Sequence, residues 1–112
     1  MNARKHWSYD DEVIVCELYS RLHDNEMHSR NPRVIEVASL LDRSVDTVCM
    51  KLQNFVFLDP DQSARGRRGL ANASRADHEV WNEFQSDREQ MVQSGKSKLQ
   101  ELRNRRSKHA TA

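Results

Sequence analysis

Four stretches of the chain repeat apolar positions at the helical period, and polar segments bearing Ser, Asn, Gly or Pro separate them. In the first, Ile14, Leu18 and Leu22 fall four apart, with Val15 and Tyr19 alongside. Ser8 precedes that run as a cap, and Asp11 three residues later completes a capping-box pattern. The second opens at Asn31-Pro32, because Asn caps well and Pro suits the first helical position. Its stripe is Val34, Val37, Ala38 and Leu41. Ser44 caps the third, whose buried stripe is Val45, Val48, Leu52 and Phe55, and Pro60 closes it by restricting Asp59. Ser74 with Asp77 starts a fourth carrying Val80, Trp81, Phe84 and Met91, ended by Ser94-Gly95. His23 to Arg30 and Asp61 to Asn72 read as polar loops. No apolar segment fits strand alternation better than the helical period, so the expected class is all-α.

The short Asp42-Arg43 connection makes the second and third helices a helix-turn-helix arrangement. The expected architecture is a trihelical helix-turn-helix core with a fourth helix over residues 5–94, followed by a basic flexible tail over 95–112. On the third helix, the face opposite the apolar stripe carries Asp46, Thr47, Met50 and Asn54, flanked by Lys51 and Gln53. Asn and Gln can pair bidentately with adenine, and Thr or Met can pack on a thymine methyl. Against contact, Asp46 repels phosphate, and Asn54 can serve simply to end the helix. Trp7 and Trp81 each lie on or beside a buried stripe, which assigns them to the core rather than to base stacking.

Charge sharpens this picture. The formal total over 112 residues is only +1, but it is segregated. Residues 1–42 carry net −3, residues 43–69 net +2, residues 70–87 net −3 and residues 88–112 net +5. Positive charge therefore gathers on the third helix with its following loop, and on the tail, which is the footprint expected for a polyanion partner. Arg65, Arg67 and Arg68 stand around Gly66 and Gly69, where a flexible backbone can approach phosphate closely, although a solvated loop has the same composition. The tail brings Arg103, Arg105 and Arg106; Leu99 and Leu102 alone do not define a coiled coil, so a disordered basic arm is the expectation.

The two cysteines and five histidines show no metal-ligand spacing, and cofactor and metal are expected to be none. Cys16 and Cys49 read as free thiols in a cytoplasmic protein. No apolar run reaches the length of a bilayer span and no signal peptide is legible, which predicts no membrane partner. A glycine-rich phosphate loop and a nucleophile motif are both missing, so the chain reads as a non-enzyme.

The segments WSYDDEVIVCELYSRL, NPRVIEVASLLDRS, TVCMKLQNF, LDP, RGL and VWNEF, across residues 7–87, occur in the order of a small prokaryotic helical domain. The chain resembles the Myb/SANT-like helix-turn-helix domain placed ahead of the nuclease domain in HNH restriction-type endonucleases. MKLQNFVFLDP is the most specific part, and Arg68 stands in the RGL element. The nuclease itself is not legible. The resemblance implies a prokaryotic or phage protein that binds double-stranded DNA in a regulatory or defence role. In that reading the third helix enters the major groove through Thr47, Met50, Lys51 and Asn54, while Arg43, Arg65, Arg67, Arg68 and the tail arginines neutralise phosphates. The rival is a protein-interaction module that docks on a larger enzyme, with the acidic first helix (Asp10, Asp11, Glu12, Glu17) facing a basic partner; a homodimer is compatible with either.

Overall fold

The computed structural model describes residues 6–71 and 73–111, with side chains through Lys108; Lys5, where the domain was expected to open, and Ala112 lie outside the described residues. The order is α1 (Tyr9–Arg21), a 3-10 turn (Asp24–Glu26), α2 (Pro32–Leu40), α3 (Val45–Leu58), α4 (Pro60–Ala64), α5 (Arg75–Ser86) and α6 (Arg88–Thr111). No strand occurs among the described residues, and the fold is all-α. No helix among them is long and apolar enough to cross a membrane.

Local chemistry places most helix starts where the sequence expects them. Ser8 accepts from the Asp11 amide, Asn31 from Arg33 and Ser44 from Thr47, each satisfying a donor that the first turn leaves unpaired. Ser74 and Asp77 form a reciprocal capping box at α5. Asp59 does double duty, ending α3 and capping the unexpected short helix α4 inside the region read as loop. Asp42 turns the chain between α2 and α3 with φ 57°, a left-handed conformation that Asp tolerates better than most residues.

α1 is the central element. Its residues Glu12 through Tyr19 are all buried, because α3, α5 and α6 pack around it. The core joins Ile14 and Leu18 to Val34 and Val37 of α2, Leu52 and Phe55 of α3, Val80 and Phe84 of α5, and Met91 and Leu99 of α6. Tyr19, Phe55 and Trp81 form an aromatic cluster with centroids 5.8–6.3 Å apart, so Trp81 and the partly buried Trp7 both belong to the core.

The C-terminal region departs most from expectation. The chain breaks at Asp87 rather than Ser94-Gly95, and α6 then runs unbroken through the segment expected to be a flexible basic arm. Gly95 is buried in mid-helix; a Cβ there would lie 2.5 Å from Glu17 Cβ, so glycine lets α6 lie closely on α1. Leu99, 3% exposed, anchors the same face, and Lys98 pairs with Asp10 at 3.0 Å. Tertiary packing here overrides the weak intrinsic preference of glycine to end a helix.

Candidate functional site

The third helix was expected to present Thr47, Met50, Lys51 and Asn54 outward. The structure turns two of the four inward. Lys51 lies three residues after Val48 and four before Phe55, within the buried stripe, and its side chain is only 7% exposed. Its Nζ donates to Asp77 Oδ1 at 2.7 Å and Glu12 Oε2 at 3.2 Å. Asn54, one turn on, donates through Nδ2 to Asp77 Oδ2 at 3.1 Å. Both therefore face α5. Thr47 shares a hydrogen bond of 2.7 Å with the Ser44 hydroxyl at the helix cap. Met50 alone of the four stands fully outward, 53% exposed.

Arg43 is likewise committed inside. Its guanidinium donates to the His6 carbonyl at 2.6 Å and Asp11 at 3.2 Å, and lies 3.9 Å from the centroid of the Trp7 ring. Lys51 Nζ approaches the same ring at 4.7 Å, so Trp7 closes this charged cluster through its π-face. Only 4% of the Arg43 side chain is exposed.

The remaining arginines divide. Arg65 makes two bonds to Asp24 at 3.0 and 3.2 Å, and Arg67 approaches the same carboxylate at 3.9 Å. Arg103 grips Glu36 bidentately at 2.8 and 2.9 Å, Arg106 donates to the Ser39 carbonyl at 2.9 Å and Arg105 pairs with Glu101 at 3.4 Å along α6. Arg68 is exposed. The Arg65–Arg68 loop and α3 do adjoin: the Leu70 amide donates to the Gln53 carbonyl at 3.1 Å, and Gly69, at φ +66°, lies against Phe57. Arg103 and Arg106 of α6 instead reach α2.

What α3 leaves outward is mostly apolar. Met50 and Phe57, two turns apart and 53% and 41% exposed, flank Gln53, and Leu70, 38% exposed, comes alongside from the loop. Phe57 and Leu70 had not been singled out in the sequence. The signal was available in Phe57, which lies seven residues after Met50.

Two polar networks were also missed. In the first, Glu12, Lys51 and Asp77 set two carboxylates around one ammonium, all at most 7% exposed. Burial, reinforced by the Asp77 carboxyl, pushes Glu12 up to about 7 against the pull of Lys51. Burial also acts to raise Asp77, but hydrogen bonds from Glu12, Lys51 and the Ser74 amide outweigh it and hold Asp77 below the usual carboxylate range.

In the second, Tyr19 donates to Asp59 Oδ2 at 2.6 Å, and buried Gln62 donates to Tyr19 Oη at 3.2 Å and Asp24 Oδ1 at 2.7 Å. Burial and the Asp59 contact raise the Tyr19 phenol, while the Gln62 bond, aided by Arg65, lowers Asp24. This network walls an open cleft of about 800 Å³ between α1, α4 and α5. Among the described residues, no group of three or more His, Cys, Asp and Glu side chains is placed to hold a metal ion. Cys16 and Cys49 are free thiols; burial first of all raises both above the usual thiol range. No protein-family model, curated protein or solved structure matches the chain.

Proposed function

We propose that this chain is a non-catalytic recognition domain that docks on a protein partner through the outward face of α3 and the adjoining loop. The observation that carries this reading is the exposure of Met50, Phe57 and Leu70 beside one another, while Lys51, Asn54 and Arg43 are spent inside. Apolar groups in water yield favourable free energy on burial, about 25 cal/mol per Å², and neighbouring ones form the centre of an interface. Asp46, exposed at the start of the same face, suits a partner that brings a cation beside its apolar surface. The nuclease-linked resemblance fits a domain that recruits or modulates a separate enzyme.

Duplex DNA is the second reading, favoured by the tight α2–α3 turn and by the exposed Arg68 near α3. A groove-reading helix needs cations and amide groups outward, and α3 offers Asp46, Met50, Gln53 and Phe57. A photo-crosslinking residue at Met50 or Phe57 separates the two, with exposed Gln93 on α6 as control. The docking reading expects a discrete protein adduct from α3 positions and none from Gln93. Salt-dependent binding of random duplex DNA that weakens in Met50→Ala and Arg68→Ala, without a protein adduct, would replace it with the DNA reading.

A further inference from the structure

The Glu12–Lys51–Asp77 cluster is one cation short. Lys51 balances one of its two carboxylates, and the second negative charge has no water to spread into, since Glu12 and Asp77 are both 0% exposed. Among the described residues, Glu12 Oε1 has no hydrogen-bond partner, although Oε2 receives the ammonium. A proton on Oε1, donated toward Asp77, resolves both the orphaned oxygen and the excess charge.

We propose that Glu12 and Asp77 share a single proton above Lys51 and form a pH-sensitive latch that holds α5 against α1 and loosens as the proton leaves. The parts of the latch come from different elements: Glu12 from α1, Lys51 and Asn54 from α3, and Asp77 from α5, where Asp77 also caps the helix through the Ser74 amide. The strap at residues 6–8 adds Trp7 over Lys51, with Arg43 on Trp7 and Asp11. On the groove side, Tyr9, Glu79 and Glu83 stand near Glu12, and Tyr9 donates to Glu83 at 3.3 Å. Cys16 lies one turn along α1, with the Arg88 charge acting on it from α6. Lys98 of α6 is turned to Asp10, and the charged groups of α2, Arg33 and Glu36, to Glu26 and Arg103. Among the described residues, none of the surrounding cations replaces the missing one at Oε1. On ionisation, two carboxylates face each other over one ammonium, and the contact that strains is the one between α1 and the first turn of α5.

The folded chain keeps the Glu12 proton up to about 7, while the unfolded chain releases it near the ordinary value of 4.5. Between those values the native state binds one proton more, so stability is fully present below 4.5 and is lost as pH rises through about 7. Glu12→Gln mimics the protonated side chain: its oxygen can accept from Lys51 and its amide can donate to Asp77.

The latch needs no partner, so its test is independent of the docking reading. Urea unfolding of wild type and Glu12→Gln is compared from pH 5 to 8, together with amide exchange. The folded-to-unfolded ratio of wild type should fall relative to the variant on the order of fiftyfold. Protection at Val80 and Trp81 of α5 should fall ahead of protection at Leu99 of α6. Parallel pH profiles for the two proteins overturn the proposal, as does loss of α5 and α6 protection in step. Should Glu12→Gln fail to fold, the carboxyl carbon of Glu12 in wild type decides by nuclear magnetic resonance. A titration midpoint near 7 supports the latch, and one near 4.5 sinks it.

Discussion

Replacing Gly95 with alanine adds one methyl group at the contact between α1 and α6, and two opposing effects can be weighed there. Alanine favours the helix by about 1 kcal/mol over glycine. Against that, the new Cβ would stand 2.5 Å from Glu17 Cβ, 2.9 Å from Glu17 Cγ and 3.2 Å from the Val13 carbonyl oxygen. Glu17 Cβ is bonded directly to the backbone, so no rotamer moves it away. The helices must part by about an ångström, and overpacking of this kind costs about 1–3 kcal/mol. Separation also disturbs the fully buried Glu17 carboxylate, which holds Arg21 at 2.8 and 3.0 Å. Those two terms leave a loss of about 0–2 kcal/mol, and the disturbed Glu17 site puts the expected value in its upper half, about 1–2 kcal/mol, with a melting temperature lower by about 5–10 °C. Calorimetry on Gly95→Ala and on the exposed control Ser97→Ala checks this. If Gly95→Ala melts at or above wild type, as Ser97→Ala should, α6 does not lie on α1 there and the basic-arm reading returns.

Lys51→Met leaves the negatively charged Glu12–Asp77 pair buried without a counterion and should cost about 3–5 kcal/mol in urea unfolding, in contrast to the small effect expected of a groove-facing lysine. Tyr19→Phe removes a 2.6 Å bond to Asp59 and should cost about 1.5–3 kcal/mol by the same measurement, showing that the cleft wall is structural. Deletion of residues 95–112 removes buried Leu99 and half-buried Leu102 from the core. It should lower stability by about 2–4 kcal/mol, and unchanged unfolding would mean the segment is an appendage.

Helix starts were legible because capping is local: a Ser or Asn and the amides two or three residues on decide it, and all fall within one short stretch of sequence. The same locality explains the error at the C-terminus. Ser94-Gly95 carries the stronger intrinsic breaking signal, but α1 needs a residue without Cβ at Gly95, while Asp87 ends α5 and caps α6 through the Gln90 amide at 3.3 Å. The aspartate three residues ahead of Gln90 was the overlooked signal. The candidate site was less legible, because which side of α3 faces water depends on where α5 lands. Lys51 read as a flank residue until Asp77, twenty-six positions away, supplied a carboxylate above it. Its spacing from Val48 and Phe55 marked it as inward, and Glu12 sits in α1 on the same terms, one turn before Cys16.

The fate of the cations bears most directly on function. A polyanion gains affinity from cations that are free to replace condensed counterions. Arg43 and Lys51 are locked in the interior, and Arg65, Arg103 and Arg105 already hold Asp24, Glu36 and Glu101. An arginine that must first release a carboxylate contributes only the difference between two similar contacts, and the released carboxylate then repels phosphate at short range. Clustered charge along a sequence thus overstates the basic surface of the folded chain. The apolar face of α3 suffers no such discount, because Met50, Phe57 and Leu70 give up only water when they are covered. That asymmetry, between these five cations already paired and apolar groups still exposed, is the physical reason to look first for a protein on this surface.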